Sequence, residues 1–184
     1  MIRYMITSNI DKPWKFDHVT KRAFTLLESI DVNEPSLQRP FPLQNEKFLC
    51  CCCCRSGPLK LTASIDRCGY CPGEGILLNA ECENLTNRTM NCVRARLNRL
   101  IIWRARGHSE RRTRTDFEIK SPGQIEEGGS FNWSNQLICL PSIPPSITSC
   151  GIISVTYEFQ ISVVVPHGIN LHCSFPIVIG TIPL

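Results

Sequence analysis

The most reactive side chains in this sequence are its 12 cysteines, and one pair of them has a spacing associated with redox chemistry. Cys68 and Cys71 form a C-x-x-C motif, the arrangement with which thioredoxin-like enzymes exchange disulfides. That chemistry requires the first thiol to lie at a helix N-terminus, where its pKa is lowered. Strand-forming residues surround the motif here, and Pro72-Gly73 predicts a turn directly after it. We therefore expect no redox role.

A run of five cysteines precedes Arg55: Cys50, Cys51, Cys52, Cys53 and Cys54. Adjacent residues of a strand point to opposite faces, so this run cannot form a tetrahedral zinc site by itself. Two interpretations stay open. The run is a buried strand of small apolar side chains, or it is S-acylated and adds membrane affinity beside a basic residue.

Arginine dominates residues 93–114, which hold eight arginines and one glutamate. Their net charge is +7, whereas the formal net charge of the whole chain is +4. Alternation along a long strand, followed by a turn at Gly107-His108, predicts a hairpin with arginines on one face of both strands. The predicted face carries Arg94, Arg96, Arg104, Arg106, Arg112 and Arg114.

A basic hairpin of this kind offers bidentate donors to phosphate or carboxylate groups. The candidate partners are anionic lipid headgroups and phosphorylated or acidic protein tails. Nucleic acid is not expected, because the interleaved Leu100 and Ile102 provide no stacking platform. The alternative is that the arginines only solvate the sheet and protect its edge from association.

No active site is apparent elsewhere in the sequence. The four histidines, His18, His108, His167 and His172, are far apart or, in the case of His172, point away from the neighbouring Cys173. No serine, cysteine or carboxylate has a recognisable base and orienting partner. The sequence therefore predicts neither an enzyme nor a metal or cofactor site.

The elements that position these residues have the period of β-strands. Apolar and polar residues alternate from Val155 to Val165, and Pro166-His167-Gly168 predicts reversal into a second strand. Alternating runs also begin near residues 2, 59, 76, 92, 111 and 131, whereas residues 28–48 predict an extended linker. About seven short strands with turn residues between them predict an all-β, antiparallel, immunoglobulin-like β-sandwich.

Composition places the chain among ordinary globular proteins, with 42% hydrophobic and 20% charged residues. No run of 18 uncharged apolar residues occurs, and the first residues lack the apolar region of a signal peptide. We therefore expect a cytoplasmic protein with reduced thiols. The sequons at Asn84, Asn87 and Asn132 are then expected to be unused.

Several motifs occur in a recognisable order. P-x-S-I-x-x-C-G-I-I-x-V-x-Y covers residues 144–157, and P-I-V-I-G-T-I-P-L covers 176–184. Upstream lie Gly57-Pro58-Leu59-x-Leu61, the run D-R-x-G-Y-x-P-G-E at 66–74, and Asn84. The segments D-K-P-W-K-F-D at 11–17 and Phe24-Thr25 precede them. In these residues the chain resembles the α-arrestins, which are arrestin-domain-containing adaptor proteins.

The resemblance implies three regions. Residues 1–22 would be the remnant of an N-terminal arrestin domain, residues 23–56 an interdomain linker with the cysteine run, and residues 57–184 a complete C-terminal arrestin domain. The chain would then be part of a two-domain protein, either a truncated product or an incomplete gene model.

The function that the resemblance implies is that of a non-enzymatic scaffold. It would couple membrane-protein cargo to ubiquitination and endocytosis, and would associate peripherally with the plasma membrane or endosomes. The family recruits HECT-type ubiquitin ligases through PPxY motifs in a C-terminal tail. Here Pro144-Pro145 is followed by Ser146-Ile147, so ligase recruitment would need a tail absent from this sequence.

Two further expectations concern partners and alternatives. One α-arrestin binds thioredoxin through a cysteine just before the tryptophan that corresponds to Trp133. Here Ser130-Phe131-Asn132 precede that tryptophan, so thioredoxin binding by this route is not expected. The alternative function is a generic immunoglobulin-like structural or adhesion module, which export and paired cysteines would favour.

Overall fold

The computed structural model describes residues 4–49 and 57–183, and this part of the chain contains strands and no helix. The strands are β1 (Tyr4–Ile10), β2 (His18–Phe24), β3 (Phe41–Lys47), β4 (Leu59–Ile65), β5 (Gly69–Tyr70), β6 (Gly75–Asn84), β7 (Cys92–Ala105), β8 (His108–Lys120), β9 (Ser130–Cys139), β10 (Ile153–Val164) and β11 (Leu171–Ile179).

Two sheets form a sandwich, as the sequence predicted. One sheet has the order β5-β11-β10-β7-β8 and the other the order β3-β4-β6-β9. All pairings are antiparallel except that of β5 with β11. The predicted all-β, immunoglobulin-like sandwich is therefore confirmed. Its core contains side chains from both sheets, such as Leu61, Ile76, Leu97, Phe159 and Phe175, all of them fully buried.

The core follows from the alternation in the sequence. In β4 every second residue, Leu59, Leu61, Ala63 and Ile65, is buried, and β11 shows the same pattern. Because successive side chains of a strand point to opposite faces, each alternating run has one apolar face that is stable only against the other sheet. This burial is the main stabilising contribution of the fold.

The D-R-x-G-Y-x-P-G-E segment follows β4 of one sheet and contains β5 of the other. The hydroxyl of Tyr70 contacts Asp66 Oδ1 at 2.8 Å and donates to the carbonyl of Arg67, 2.6 Å away. Arg67 lies over the Tyr70 ring and bonds Glu74 at 2.8 Å. These residues therefore satisfy one another's polar groups where the chain passes from one sheet to the other.

The predicted linker lies against the sandwich and supplies one of its strands. β3 is an edge strand that pairs along its whole length with β4, and Phe41 packs edge-to-face on Phe175 with ring centroids 5.8 Å apart. Pro42 is tolerated because β3 is at a sheet edge. No strand was predicted here, because the run of alternation is short and residues 28–48 were interpreted as an extended linker.

Two glycines of the family-like motifs allow the linker to approach. Val32 is fully buried, and a side chain at Gly180 would collide with it. A Cβ at Gly69 would lie 2.9 Å from Cβ of Leu37. The amides of Thr181 and Ile182 donate to the carbonyl of Ile30 at 2.9 and 3.1 Å. Residues 30–37 thus dock where these motifs present glycine.

The N-terminal residues form a separate hairpin. β1 pairs with β2 along its whole length, and every residue of both strands is exposed. The strand at the start of the chain was predicted, whereas its pairing with β2 was not. The boundaries at 22 and 56 stay predictions.

Candidate functional site

The long β7–β8 hairpin carries the arginine-rich segment, and its turn differs from the predicted one. Ala105 pairs with His108, so the turn consists of Arg106 and Gly107 and not of Gly107-His108. Both have positive φ, 49° for Arg106 and 79° for Gly107, as two-residue hairpin turns of the primed type require. Arg106 therefore lies at the tip and does not belong to a strand face, which corrects the prediction.

The turn also sets which arginines share a face. With a two-residue turn, Arg104 lies opposite Ser109 and Ile102 opposite Arg111, whereas Ile101 lies opposite Arg112. Directly opposed residues point to the same side of a sheet. The predicted common face for all six arginines is therefore wrong. Arg94, Arg96 and Arg104 share the outer face with Arg111 and Lys120, while Arg112 and Arg114 lie on the other face with Ile101 and Arg99.

The outer face is partly neutralised near the body of the sandwich. Arg96 bonds the carboxylate of Glu118, and Lys120 lies 3.2 Å from the same carboxylate. Partial burial acts to raise the pKa of Glu118, but the hydrogen bonds from Arg96 and Lys120 outweigh it and hold that pKa below its ordinary value. Toward the tip, Arg104 and Arg111 are exposed, so the free positive charge is concentrated there.

A bulge interrupts the hairpin near the end of the buried core. β7 stays paired with β10 as far as Trp103, and the exposed residues 104–115 are here called the projecting half of the hairpin. Leu97 pairs with Phe117 but Asn98 pairs with Thr115, which leaves Asp116 as the extra residue of β8. The last fully buried residue of β7 is Leu97, and every residue of β8 from His108 to Thr115 is exposed.

The bulge turns Asp116 toward Arg99. Asp116 Oδ1 lies 2.8 Å from Arg99 Nη2 and 3.5 Å from Arg114 Nε. The side chains of Arg99 and Asp116 are only 11% and 5% exposed. Sequence reasoning missed this pair, although two signals were present. Arg99 interrupts the apolar parity of β7, and Asp116 directly follows five consecutive arginine or threonine residues.

Tyr157 lies opposite Arg99 on β10 and continues the polar cluster into the core. Its hydroxyl donates to the carbonyl of Pro144 at 2.6 Å. Burial raises its pKa to about 12, an effect that Arg99 partly opposes. The cluster therefore favours the neutral phenol.

The remaining predicted candidates do not assemble into a second site. The thiols of Cys68 and Cys71 are free, and burial, assisted by Asp66 and Glu74 respectively, raises the pKa of each. Asn84 is fully buried, which excludes it as a glycan acceptor in the folded state. Among residues 4–49 and 57–183 no group of three histidine, cysteine or acidic residues could hold a metal ion. The S-acylation candidates Cys50 to Cys54 lie outside the described residues.

Comparison with known proteins agrees with the geometry. The family model for "Arrestin (or S-antigen), C-terminal domain" matches residues 55–184. The chain belongs to this arrestin C-terminal domain family. The described residues of this arrestin chain contain no helix long and apolar enough to span a membrane.

Curated relatives extend the similarity over nearly the whole chain. Human arrestin domain-containing protein 4 is 31% identical over 182 residues, which cover 99% of this chain and 43% of the relative. Arrestin domain-containing protein 17 of Caenorhabditis elegans is also 31% identical, over 188 residues that cover 99% of this chain and 43% of that relative. Human thioredoxin-interacting protein is 28% identical over 98% of this chain and 46% of its own length. The chain thus spans less than half the length of these relatives.

Among solved structures, the sporulation control protein Spo0M of Bacillus subtilis is similar in fold. Its TM-score is 0.54 at 15% sequence identity, covering 68% of this chain and 50% of that chain. At this identity the similarity supports the sandwich architecture alone.

Proposed function

We propose that this chain is part of a non-enzymatic arrestin-like adaptor in membrane-protein trafficking. The adaptor couples cargo to ubiquitination and endocytosis. Membership of the arrestin family supports the adaptor role. The observation that carries the proposal is the projecting half of the β7–β8 hairpin, an exposed basic element on a sandwich with no competing catalytic constellation in its described residues.

The hairpin is suited to anionic partners. Residues 104–115 hold five arginines and one glutamate, and all of residues 104–115 are exposed. Guanidinium groups bind carboxylate and phosphate in a bidentate manner, and clustered charge accelerates association with acidic partners. Acidic or phosphorylated cytoplasmic tails of membrane proteins are the partners we propose. An anionic membrane surface adds to the attraction, since each nearby basic residue contributes about 1 kcal/mol.

The other parts of the proposal concern location and assembly. The adaptor acts in the cytoplasm at the plasma membrane or endosomes. HECT-type ubiquitin ligases join it through PPxY motifs that are not among these 184 residues. S-acylation of Cys50 to Cys54 would add membrane affinity. Thioredoxin and nucleic acid are not among the proposed partners.

The proposal is tested in cells that express the full protein. We expect gene deletion to raise the surface level of particular membrane proteins and to lower their ubiquitination, both measured by quantitative proteomics. Re-expression of the wild-type protein restores both. A deletion that changes neither quantity for any membrane protein overturns the proposed function.

A further inference from the structure

The free edge of β8 is a long, exposed edge of the five-stranded sheet. β8 is the last strand of its sheet, and residues 108–115 are exposed without interruption. No strand among residues 4–49 and 57–183 lies beyond it. Long unpaired edges accept further strands unless a device prevents it. The device here is charge, which repels a second basic strand but attracts an acidic one.

The register shows which backbone groups are available at this edge. The amide of Arg104 donates to the carbonyl of Ile152 at 2.8 Å, so the backbone groups of Arg104 point away from β8. Hydrogen-bonded and non-hydrogen-bonded pairs alternate in antiparallel ladders. Arg104 and Ser109, which lie opposite each other, are therefore a non-hydrogen-bonded pair, and Ser109 forms no backbone hydrogen bonds with β7. By the same alternation, the amide and carbonyl groups of Ser109, Arg111 and Thr113 point to the free edge.

The side chains flank this edge on both faces of the sheet. Arg111 lies on the outer face with Arg104, and Arg112 and Arg114 lie on the opposite face. Two acids lie nearby: Glu110, opposite Trp103, shares the face of Arg112 and Arg114, and Asp116 is turned inward to Arg99. A strand added beside β8 would have its alternate side chains next to arginines whichever face they occupy.

We propose that the β8 edge from His108 to Thr115 binds an extended acidic or phosphorylated peptide as an added strand. The inference rests on the proposed adaptor function, in which such a peptide is a cargo tail. Backbone bonds to Ser109, Arg111 and Thr113 supply affinity, and the flanking arginines select for acidic side chains. The bulge at Asp116 interrupts the edge and limits the added strand to about eight residues.

A membrane fits the same charges less well. A bilayer surface is flat and meets one face of a sheet, whereas the arginines of β8 are divided between two faces. A peptide in the plane of the sheet is close to both sets at once. This division favours a peptide over a lipid surface as the occupant.

The test uses a fluorescent eight-residue peptide of alternating glutamate and phosphoserine and the full chain. Two N-methylated versions, each modified at one alternating set of amides, have the same charge. We expect one version to bind like the parent and the other to lose about tenfold in affinity, because only one set of amides can face β8. Equal binding of all three peptides would overturn strand addition.

A protein variant provides the matched experiment. Thr113→Pro removes an edge donor without changing charge, and proline is tolerated where the amide faces solvent. We expect this variant to lose about tenfold in affinity and Thr113→Val to stay within about twofold. The melting temperature and far-UV spectrum report whether Thr113→Pro folds. If it does not, the N-methylated peptides decide the question.

The outcomes separate this inference from the proposed function. In NMR spectra we expect the amides of Ser109, Arg111 and Thr113 to become protected from exchange on peptide binding, with no change at Arg112. Binding to vesicles of phosphatidylserine without binding of the peptide would overturn the inference in favour of a membrane. Normal cargo sorting by Thr113→Pro in cells would also overturn it while leaving the adaptor function intact.

Discussion

Arg99 and Asp116 form a buried ion pair at the bulge of the β7–β8 hairpin, with Arg99 Nη2 2.8 Å from Asp116 Oδ1. The pair lies near the end of the buried core, next to Tyr157. It turns the acidic side chain at the bulge away from solvent. The exposed arginines near the tip are therefore accompanied by one exposed carboxylate, that of Glu110.

Removing one partner of this pair should destabilise the fold. Asp116→Ala leaves the guanidinium of Arg99 largely buried without its counter-charge, and such losses cost about 3–5 kcal/mol. The double variant Arg99→Met with Asp116→Leu replaces the pair by apolar side chains and should unfold near the wild-type urea concentration. A single variant as stable as the double variant would show that solvent already compensates Arg99.

The stability of the fold should decrease at alkaline pH, because a buried phenol and a buried thiol stay protonated in the folded state. Burial raises the pKa of Tyr157 to about 12 from an ordinary value of 10.0, and that of the Cys173 thiol to about 11 from 9.0. A pKa that is higher in the folded state contributes stability below the ordinary value and loses it as pH rises toward the folded value. We therefore expect the melting temperature to be level up to about pH 9 and to decline between about pH 9 and 12.

The matched control for this decline is Cys173→Ala. This variant lacks one ionisable group, so its melting temperature should decline less steeply than that of the wild type between about pH 9 and 11. Its melting temperature at neutral pH should be lower than that of the wild type, because alanine fills less of the core than cysteine. The difference in alkaline absorbance between the wild-type chain and Tyr157→Phe isolates the ionisation of Tyr157 from that of the other two tyrosines. Ionisation at its ordinary pKa without unfolding would contradict the burial of this residue.

Local patterns predicted most of the fold, and long-range contacts account for what they missed. Alternation marked β4, β6, β10 and β11, because each has one face that must be covered. It did not reveal β3, whose run of alternation is short and which is defined by its pairing with β4, nor the docking of Val32 at Gly180. The bulge at Asp116 could not be predicted from the sequence either, because an extra residue in β8 is recognised only from the pairing of β8 with β7. That bulge and the turn at Arg106 decided which arginines share a face.

The linker contacts predict where the folding unit begins. A chain that starts at Leu27 keeps Val32 and β3, whereas a chain that starts at Leu49 exposes the edge of β4 and removes the contact of Phe41 with Phe175. Burial of a large apolar side chain contributes about 1.5–3 kcal/mol. We therefore expect the chain from Leu49 to be less stable than the chain from Leu27 by about 3 kcal/mol or more, measured by urea unfolding.

Point substitutions check the same contact without truncation. Val32→Ala should cost about 2 kcal/mol because Val32 is fully buried. Val19→Ala is the control on the exposed β2 strand and should leave stability unchanged. Equal stability of the two truncated chains would confine the folding unit to the residues after Leu49, as the linker interpretation predicted.

The arginines of the projecting hairpin should contribute to anion binding from both faces. Replacing Arg104, Arg111, Arg112 and Arg114 together by glutamine should cost about three orders of magnitude in affinity for the acidic phosphopeptide, at about 1 kcal/mol for each basic residue. The affinity of the wild-type chain should also fall as salt rises, since the screening length at 0.15 M is about 8 Å. The control, Arg96→Gln with Glu118→Gln, preserves net charge and removes a pair already satisfied internally. It should bind within about twofold of wild type.

The two faces can then be compared separately. Arg104→Gln with Arg111→Gln removes charge from the outer face, and Arg112→Gln with Arg114→Gln removes it from the inner face. A peptide in the plane of the sheet meets both faces, so each pair should cost about 30-fold. A flat anionic surface would instead make one pair account for nearly all of the loss. A folded quadruple variant with undiminished binding would show that these arginines serve only to solvate the sheet and keep its edge from associating.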